Sequence, residues 1–390
     1  MRKRGRKSMA NYDYEIVNGR KIRVRPKETV SEIDKNGYFR RQPNHFTTPF
    51  GDGENDLKAE GNKRYRLVWA KLCHWSNRAA IVRELEGLED QISVNMVEHA
   101  PHEKNLGWEY VYNENNIDPM LGDQFLSEAY YRADDDYQGR TTVPALIDTT
   151  TGKVVNNDYN WLTTYFEVNF RPWHKKGAPE LYPVELREEI DKMNLWLFDN
   201  INNAVYRSSF SRSNEGHFDG VNTFYAAMDR LEKRLETNRF LFGDYVTDSD
   251  IRLYVTLARL DIRYTAQLGE TKRPLYTYKN LWGYAKELWE IPAFAHHTDF
   301  AAIIRQGRIE GEEDGFRAST HYDLALPKID WDAQWKVSTE RAYLSSDPTH
   351  PIYLGNNRRF DIDPTWYDLG AESPKKEEKE TPPSCGCCCG

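Results

Sequence analysis

The stretch RLVWAKLCHWSNRAAIVREL, residues 66–85, joins two local patterns at a cysteine. Residues 66–72 are β-prone and alternating, whereas apolar residues between Trp75 and Leu85 recur at helical spacing. The chain therefore passes from strand to helix at Cys73, the only cysteine in the first 384 residues. Unpaired amides and the positive end of the helix dipole favour thiolate over thiol at such a position, and the thiolate is the nucleophile. The sequence thus predicts a reactive thiol here.

A strand–cysteine–helix junction is the reactive corner of thioredoxin-like folds. The junction reads Cys73-His74-Trp75-Ser76, so a serine stands where a dithiol oxidoreductase carries its second cysteine. Any disulfide formed by Cys73 must then be with another molecule. The alternative is a buried cysteine that packs as a small hydrophobe. His74 has two interpretations as well: it stabilises the thiolate, or it is a passive surface residue.

The amino-acid composition limits the classes of protein to which the chain can belong. A chain of 390 residues with 13% aromatic residues is long enough for two domains and a sizeable core. The net charge of -8 argues against nucleic acid as a partner. No apolar run approaches the ~20 residues of a membrane-spanning helix, and the basic start lacks the apolar region of a signal peptide. We therefore expect a cytoplasmic protein that does not bind a membrane and needs no metal or nucleotide cofactor.

Four further cysteines crowd the terminal SCGCCCG: Cys385, Cys387, Cys388 and Cys389. They do not form a disulfide framework with the isolated Cys73. The preceding residues are charged and contain proline, which predicts a disordered tail over residues 371–390. Such a cluster could bind a soft metal, carry a lipid or have no function.

The pattern predicts an N-terminal arm (1–45), a thioredoxin-like domain (46–170), a linker (171–183), an all-helical domain (184–317) and a loop-rich extension (318–370). In the thioredoxin-like part, QISVNMV is a second strand, residues 99–137 form an insertion, and strand, turn, strand and a helix from near Asn157 follow. Val143-Pro144 lies before the third strand. A cis proline there would expose the backbone of Val143 to a thiol-bearing peptide, whereas an ordinary trans proline would only open the strand.

The second half shows long helical patterns. One apolar face contains Leu186, Ile190, Met193, Leu197 and Ile201. Further along, Thr247 and Asp250 have the spacing of a capping box, and they precede an apolar stripe that predicts a buried central helix.

Several motifs follow one another in the order found in a known family. They include RYRLVWAKLCHW, IDPMLG, FLSEAYYRADDDYQGRTTVPALID, GKVVNNDY, LYPVELREEID, INNAVY and DIRLYVTLARLD. Over residues 40–305 the chain resembles glutathione transferases of the Xi class, the glutathionyl-hydroquinone reductases. The resemblance implies an α/β thioredoxin-like N-terminal domain plus an all-α C-terminal helical domain, a homodimer, and glutathione as co-substrate.

The resemblance also implies roles for particular residues. Cys73 would attack the sulfur of a glutathionyl-quinol, release the quinol and form a mixed disulfide that a second glutathione resolves. Tyr206 and Tyr264 would belong to the catalytic pocket. Glutathione contacts would fall on Trp108, Arg132, Arg140, Val143, Pro144, Asp158 and Tyr159.

The chain departs from the family pattern beyond residue 299. Gln306, Gly307, Glu310 and Gly311 stand where the family carries histidine, tyrosine and serine, so we expect an altered acceptor pocket. Two other functions stay open. One is a monothiol deglutathionylase or a transferase for another thiol, and the other is a non-catalytic interaction protein on the same fold.

Overall fold

The computed structural model describes residues 12–24, 31–99, 106–269, 273–309 and 329–345. Its first half is built around a mixed sheet, and its second half consists of packed helices. The strands are β1 (Tyr14–Val17), β2 (Arg20–Arg23), β3 (Tyr65–Trp69), β4 (Ile92–Met96), β5 (Glu98–His99), β6 (Trp108–Glu109), β7 (Ala145–Asp148) and β8 (Lys153–Asn156). Within these ranges, no helix is long and apolar enough to cross a membrane.

The main sheet has the strand order β4-β3-β7-β8. Strand β3 runs parallel to β4 and antiparallel to β7, and β7 runs antiparallel to β8. In the register of the sheet, Leu67 lies opposite Val94 on one side and Leu146 on the other. Every residue of β3 is buried, as expected for a central strand that is covered on both faces. This is the thioredoxin-like sheet that the sequence predicts.

The helices are α1 (His74–Leu85), α2 (Leu126–Ala133), α3 (Leu162–Val168), α4 (Arg187–Leu197), α5 (Ala204–Phe210), α6 (Asn214–Arg234), α7 (Asp248–Arg259), α8 (Thr265–Gln267), α9 (Lys279–Trp289), α10 (Pro292–His296), α11 (Phe300–Ile309) and α12 (Trp331–Trp335). Two turns of π-helix, at Phe198–Asn202 and Leu260–Tyr264, prolong α4 and α7.

Two predictions for the first half need correction. The segment predicted as an insertion contains α2, whose start is fixed by Glu128: its carboxylate accepts from the amides of Gln124 and Phe125. Helix α3 begins at Leu162 and not near Asn157. The reason is a pair of side-chain turns, in which Asn156 accepts from the amide of Asp158 and Asp158 accepts from the amide of Asn160. Such bonds compete with helix formation.

The predicted extended arm also has structure. Strands β1 and β2 form an antiparallel hairpin, and Ile22 is buried in a small cluster with Leu106 and Phe125. Further along, Phe50 joins the main core.

The helical half follows the sequence pattern closely. The predicted apolar face of α4 is buried throughout, including Leu186 and Ile201 just outside the helix. The capping box is confirmed, because Asp250 accepts from both the amide and the hydroxyl of Thr247. Helix α7 is buried at all twelve positions, which makes it the central helix of this half.

The predicted loop-rich extension is anchored where the structure describes it. Trp335 is 2% exposed, and its ring centroid lies 5.1 Å from that of Trp282 and 5.5 Å from that of Phe300. Arg341 donates to three carbonyl oxygens of the turn after α6, those of Leu235, Asn238 and Arg239. The described part of the extension, residues 329–345, is therefore part of the helical core. The cysteine-rich tail lies outside the described residues.

We expect Trp335→Ala to lower the free energy of unfolding by about 3–5 kcal/mol, the usual cost of truncating a large buried aromatic side chain. Urea unfolding followed by circular dichroism measures this. Val337→Ala is the control, because Val337 is in the same segment but is 58% exposed. Equal stability of the two variants would show that the extension does not belong to the core.

Candidate active site at the start of helix α1

Cys73 is the N-cap residue of α1, with φ -87° and ψ 119°, as the sequence predicts. Its carbonyl oxygen accepts from the amides of Ser76 and Asn77, at 3.1 and 3.0 Å. The residue is 8% exposed and its thiol forms no disulfide. The first turn of α1 carries no acidic side chain that would oppose a thiolate. The positive end of the helix dipole therefore lies at Cys73.

The thiol faces the turn before β7. The Val143-Pro144 peptide bond is cis, and Cys73 Sγ lies 3.7 Å from the carbonyl oxygen of Val143. Trp108 lies beside the same turn, since its indole nitrogen donates to the carbonyl of Thr141. The backbone of a residue that precedes a cis proline beside a cysteine can pair with a thiol-bearing peptide as an added strand would.

Two further predicted glutathione contacts lie at the start of α3. Asp158 is buried, and its Oδ1 accepts from Asn44 of the arm at 2.8 Å and from the amide of Asn160. The ring of Tyr159 lies 4.6 Å from that of Trp75, the second residue of α1. The structure therefore brings residues 158 and 159 to the same end of α1 as Cys73.

His74 fits neither interpretation from the sequence. It is 1% exposed, so it is not a surface residue, and its Nδ1 lies 3.0 Å from the hydroxyl of Tyr264. Burial, with the charge of Arg259 as the next cause, lowers the pKa of His74 well below its usual value. His74 is thus a neutral ring at neutral pH and supplies no positive charge to the thiolate.

Both predicted pocket tyrosines surround this histidine. The ring centroid of Tyr206 lies 5.3 Å from that of His74, and that of Tyr264 lies 6.1 Å away. Burial raises the pKa of Tyr206, and the negative charge of Cys73 raises it further. Burial also raises the pKa of Tyr264 well above its usual value. Both phenols therefore keep their protons at neutral pH, and the hydroxyl of Tyr264 is already bonded to His74.

The two predicted arginines lie apart from this group. Arg132 pairs with Asp123 and donates to the carbonyl of Gly152, in the turn between β7 and β8. That turn is at the opposite end of β7 from Pro144, so the structure does not bring Arg132 to Cys73. Arg140 lies closer along the chain, but its guanidinium pairs with Glu32 of the arm at 3.3 Å.

Other arginines, not predicted from the sequence, take their place near the thiol. Arg259 of α7 donates to the carbonyls of Lys71 and Leu72 immediately before Cys73. Arg41 of the arm lies over the rings of Trp75 and Tyr206. The charges that act most strongly on His74 belong to Arg259, Arg41, Arg78 and Arg263. The site is therefore strongly cationic.

For Arg259 a signal did exist, because it continues the apolar series Ile251 and Val255 at four-residue spacing. A cation on the buried face of a helix needs buried acceptors. Arg41 gave no comparable signal, since the arm around it has no periodic pattern.

The mixed sheet, the capped cysteine facing a cis proline and the helical second half define a glutathione transferase fold. Comparison with known proteins supports this fold assignment. A family model for the C-terminal domain of glutathione S-transferase matches residues 205–287. The chain is 35% identical to glutathione S-transferase omega-like 2 of Schizosaccharomyces pombe, over 69% of this chain and 88% of that protein.

Two more relatives indicate to which class of glutathione transferases the chain belongs. Glutathionyl-hydroquinone reductase YqjG of Escherichia coli is 33% identical over 62% of this chain and 73% of its own. Its glutathione-bound structure aligns with a TM-score of 0.60, over 69% of this chain and 87% of that one. A glutathione-S-transferase Xi of Phanerochaete chrysosporium aligns at 33% identity with a TM-score of 0.63, over 70% and 88%. The chain belongs to the Xi class of the glutathione transferase superfamily and is a glutathione-dependent enzyme of that family.

The burial of His74 predicts a pH effect on stability. Because the pKa of His74 is lowered in the folded state, the unfolded chain binds its proton first as pH falls. Above about pH 6.5 His74 is neutral in both states, and the free energy of unfolding is not reduced. Below that pH the unfolded chain is stabilised by the proton on His74, so the free energy of unfolding falls. We expect His74→Gln to flatten the fall in unfolding free energy between pH 6.5 and 5, by at most about 1.4 kcal/mol per pH unit.

Urea unfolding at several pH values measures this slope. His45→Gln is the control, because His45 lies on the arm with half of its side chain exposed. Parallel slopes for the wild type and His74→Gln would contradict a buried neutral His74.

Proposed function

We propose that this enzyme removes glutathione from a thioether conjugate such as a glutathionyl-hydroquinone, through a mixed disulfide on Cys73. The observation that carries the proposal is the position of Cys73 Sγ, at the start of α1 and 3.7 Å from the carbonyl of Val143 before cis-Pro144. A glutathione backbone paired with Val143 would bring its sulfur beside this thiol. The name of the Escherichia coli relative supports the same substrate class.

The proposed reaction has two steps. In the first, the Cys73 thiolate attacks the glutathione sulfur of the conjugate, so that a sulfur–sulfur bond forms and the carbon–sulfur bond breaks. The electron pair of the broken bond stays on the ring carbon, which takes up a proton to give the free hydroquinone. In the second step, the thiolate of another glutathione attacks the mixed disulfide, releases oxidised glutathione and restores the Cys73 thiolate. The conjugate is reduced by two electrons, and glutathione is oxidised.

The residues around the thiol fit these steps. Arg259 and the start of α1 place a cation and the positive end of a helix dipole beside Cys73. Tyr206 is a protonated phenol and can donate to a quinol oxygen as charge develops on it, whereas the hydroxyl of Tyr264 is bonded to Nδ1 of His74. Asp158 has one oxygen bonded to Asn44, and its carboxylate can accept from the amino group of glutathione.

Ser76 follows Cys73 by three residues, and it provides no second thiol for an internal disulfide. In the proposed scheme the resolving thiol is therefore that of a second glutathione. The homodimer, the cytoplasmic location, the independence from metal and the altered pocket around Gly307 stay predictions from the sequence.

Cys73→Ser tests the covalent step. A serine hydroxyl is not ionised at neutral pH, so we expect turnover of glutathionyl-menadione to fall below about one per cent of wild type. Glutathione binding, measured by titration calorimetry, should stay largely intact because the groove at Val143 is unchanged. Considerable remaining turnover in Cys73→Ser would indicate a non-covalent transfer instead.

The control replaces all four tail cysteines with serine: Cys385, Cys387, Cys388 and Cys389. We expect this variant to turn over glutathionyl-menadione at the wild-type rate, measured by release of oxidised glutathione. A loss of turnover would make the tail the resolving thiol and would contradict the scheme in which free glutathione resolves the disulfide.

A further inference from the structure

Arg41 connects the N-terminal arm with the helical half of the molecule at the edge of the site. Its Nε donates to the side-chain oxygen of Asn203 at 3.0 Å. Its guanidinium carbon lies 4.8 Å from the ring centroid of Trp75 and 4.5 Å from that of Tyr206. Cation–π contacts of this kind orient the guanidinium plane without using its N–H donors.

One end of this guanidinium has no partner. Among the described residues, no acceptor lies within hydrogen-bonding distance of the buried Nη2 of Arg41. Arg259 is different, because its Nε and both Nη atoms donate to carbonyl or amide oxygens. Arg140 also differs, since its guanidinium has the carboxylate of Glu32. A buried charged donor without an acceptor is costly, so a ligand that brings an anionic oxygen would be bound there.

The position of Arg41 indicates which part of the substrate it meets. Its contacts in the helical half are Asn203 and Tyr206, and Tyr206 lies on the acceptor side of Cys73 in the proposed reaction. On the glutathione side the guanidinium carbon is farther away, 5.8 Å from the ring centroid of Tyr159, and Asp158 is bonded by Asn44 of the arm. Arg41 is therefore placed to meet the group that leaves the glutathione sulfur.

We propose that Arg41 determines specificity by binding an anionic oxygen, a carboxylate above all, on the aromatic group that Cys73 separates from glutathione. The planar fork of a guanidinium matches a carboxylate, and the surrounding rings of Trp75 and Tyr206 exclude water from the pair. This inference rests on the proposed function, because it concerns the leaving group of that reaction. It predicts an enzyme that prefers acidic hydroquinones to neutral ones.

The test compares two substrates that differ only in charge: the glutathione thioethers of 2,5-dihydroxybenzoate and of 2,5-dihydroxybenzamide. We expect wild-type kcat/KM to be about tenfold or more higher for the carboxylate, the effect of one hydrogen bond to a charged group. Arg41→Gln should remove this preference, mainly by raising KM for the carboxylate substrate. Arg41→Lys should restore part of it, because a point charge replaces the fork.

Arg40→Gln is the matched control. Arg40 is the neighbouring residue of the arm, its side chain is 65% exposed, and it pairs with Asp34. We expect this variant to keep the wild-type preference. An equal loss on both substrates in Arg41→Gln would mean that Arg41 binds glutathione or only supports the arm. That result, or the absence of any preference in the wild type, would overturn the proposal.

A second measurement separates this inference from the proposed function. Titration calorimetry with free 2,5-dihydroxybenzoate and the free benzamide needs no turnover. We expect the carboxylate to bind the wild type about tenfold more tightly than the benzamide and to lose that advantage in Arg41→Gln. If neither conjugate is turned over but this difference holds, the proposed reaction fails and the anion site stands. If the two ligands bind equally to the wild type, the anion site fails.

Discussion

The buried guanidinium of Arg259 is the interaction on which the geometry of the site depends. It is 1% exposed and donates to the carbonyls of Lys71 and Leu72, to the carbonyl of Val255, and to the side chain of Asn77. A buried charge is tolerated only with such a complete set of acceptors. The bonds fasten the loop before Cys73 to α7, so the helical half fixes where the thioredoxin-like half presents its thiol.

Much of the fold is predictable because it follows from local patterns. The strand-to-helix change at Cys73 and the capping box at Thr247 are both confirmed. Helix α2 has a local signal too, because Leu126, Ala129 and Tyr130 recur at helical spacing, but the long polar and aromatic segment around it favours an insertion. The arm hairpin and α12 depend on long-range burial, in Ile22 against Phe125 and Trp335 against Trp282. Contacts between distant segments leave no local signal in one sequence.

The residues of the site can likewise be predicted from the sequence only in part. The motif positions that lie at the ends of regular elements, namely Cys73, Val143 and Asp158, come together at one end of α1. Arg132 was expected there, but its partner Asp123 holds it at the other end of β7. Ion-pair choice depends on tertiary contacts, which a motif does not encode. The same holds for His74, which is neutral because α7 and its π-helical continuation bury it.

The central claim is that Cys73 takes glutathione from a conjugate as a mixed disulfide, and intact-protein mass spectrometry with peptide mapping tests it most directly. The protein is mixed anaerobically with one equivalent of glutathionyl-menadiol, the hydroquinone form of the menadione conjugate, in the absence of free glutathione. We predict a mass gain of one glutathionyl group on the peptide that contains Cys73, together with release of menadiol, and loss of the adduct when glutathione is added. Release of menadiol without an adduct, or an adduct confined to the tail cysteines, would contradict the account.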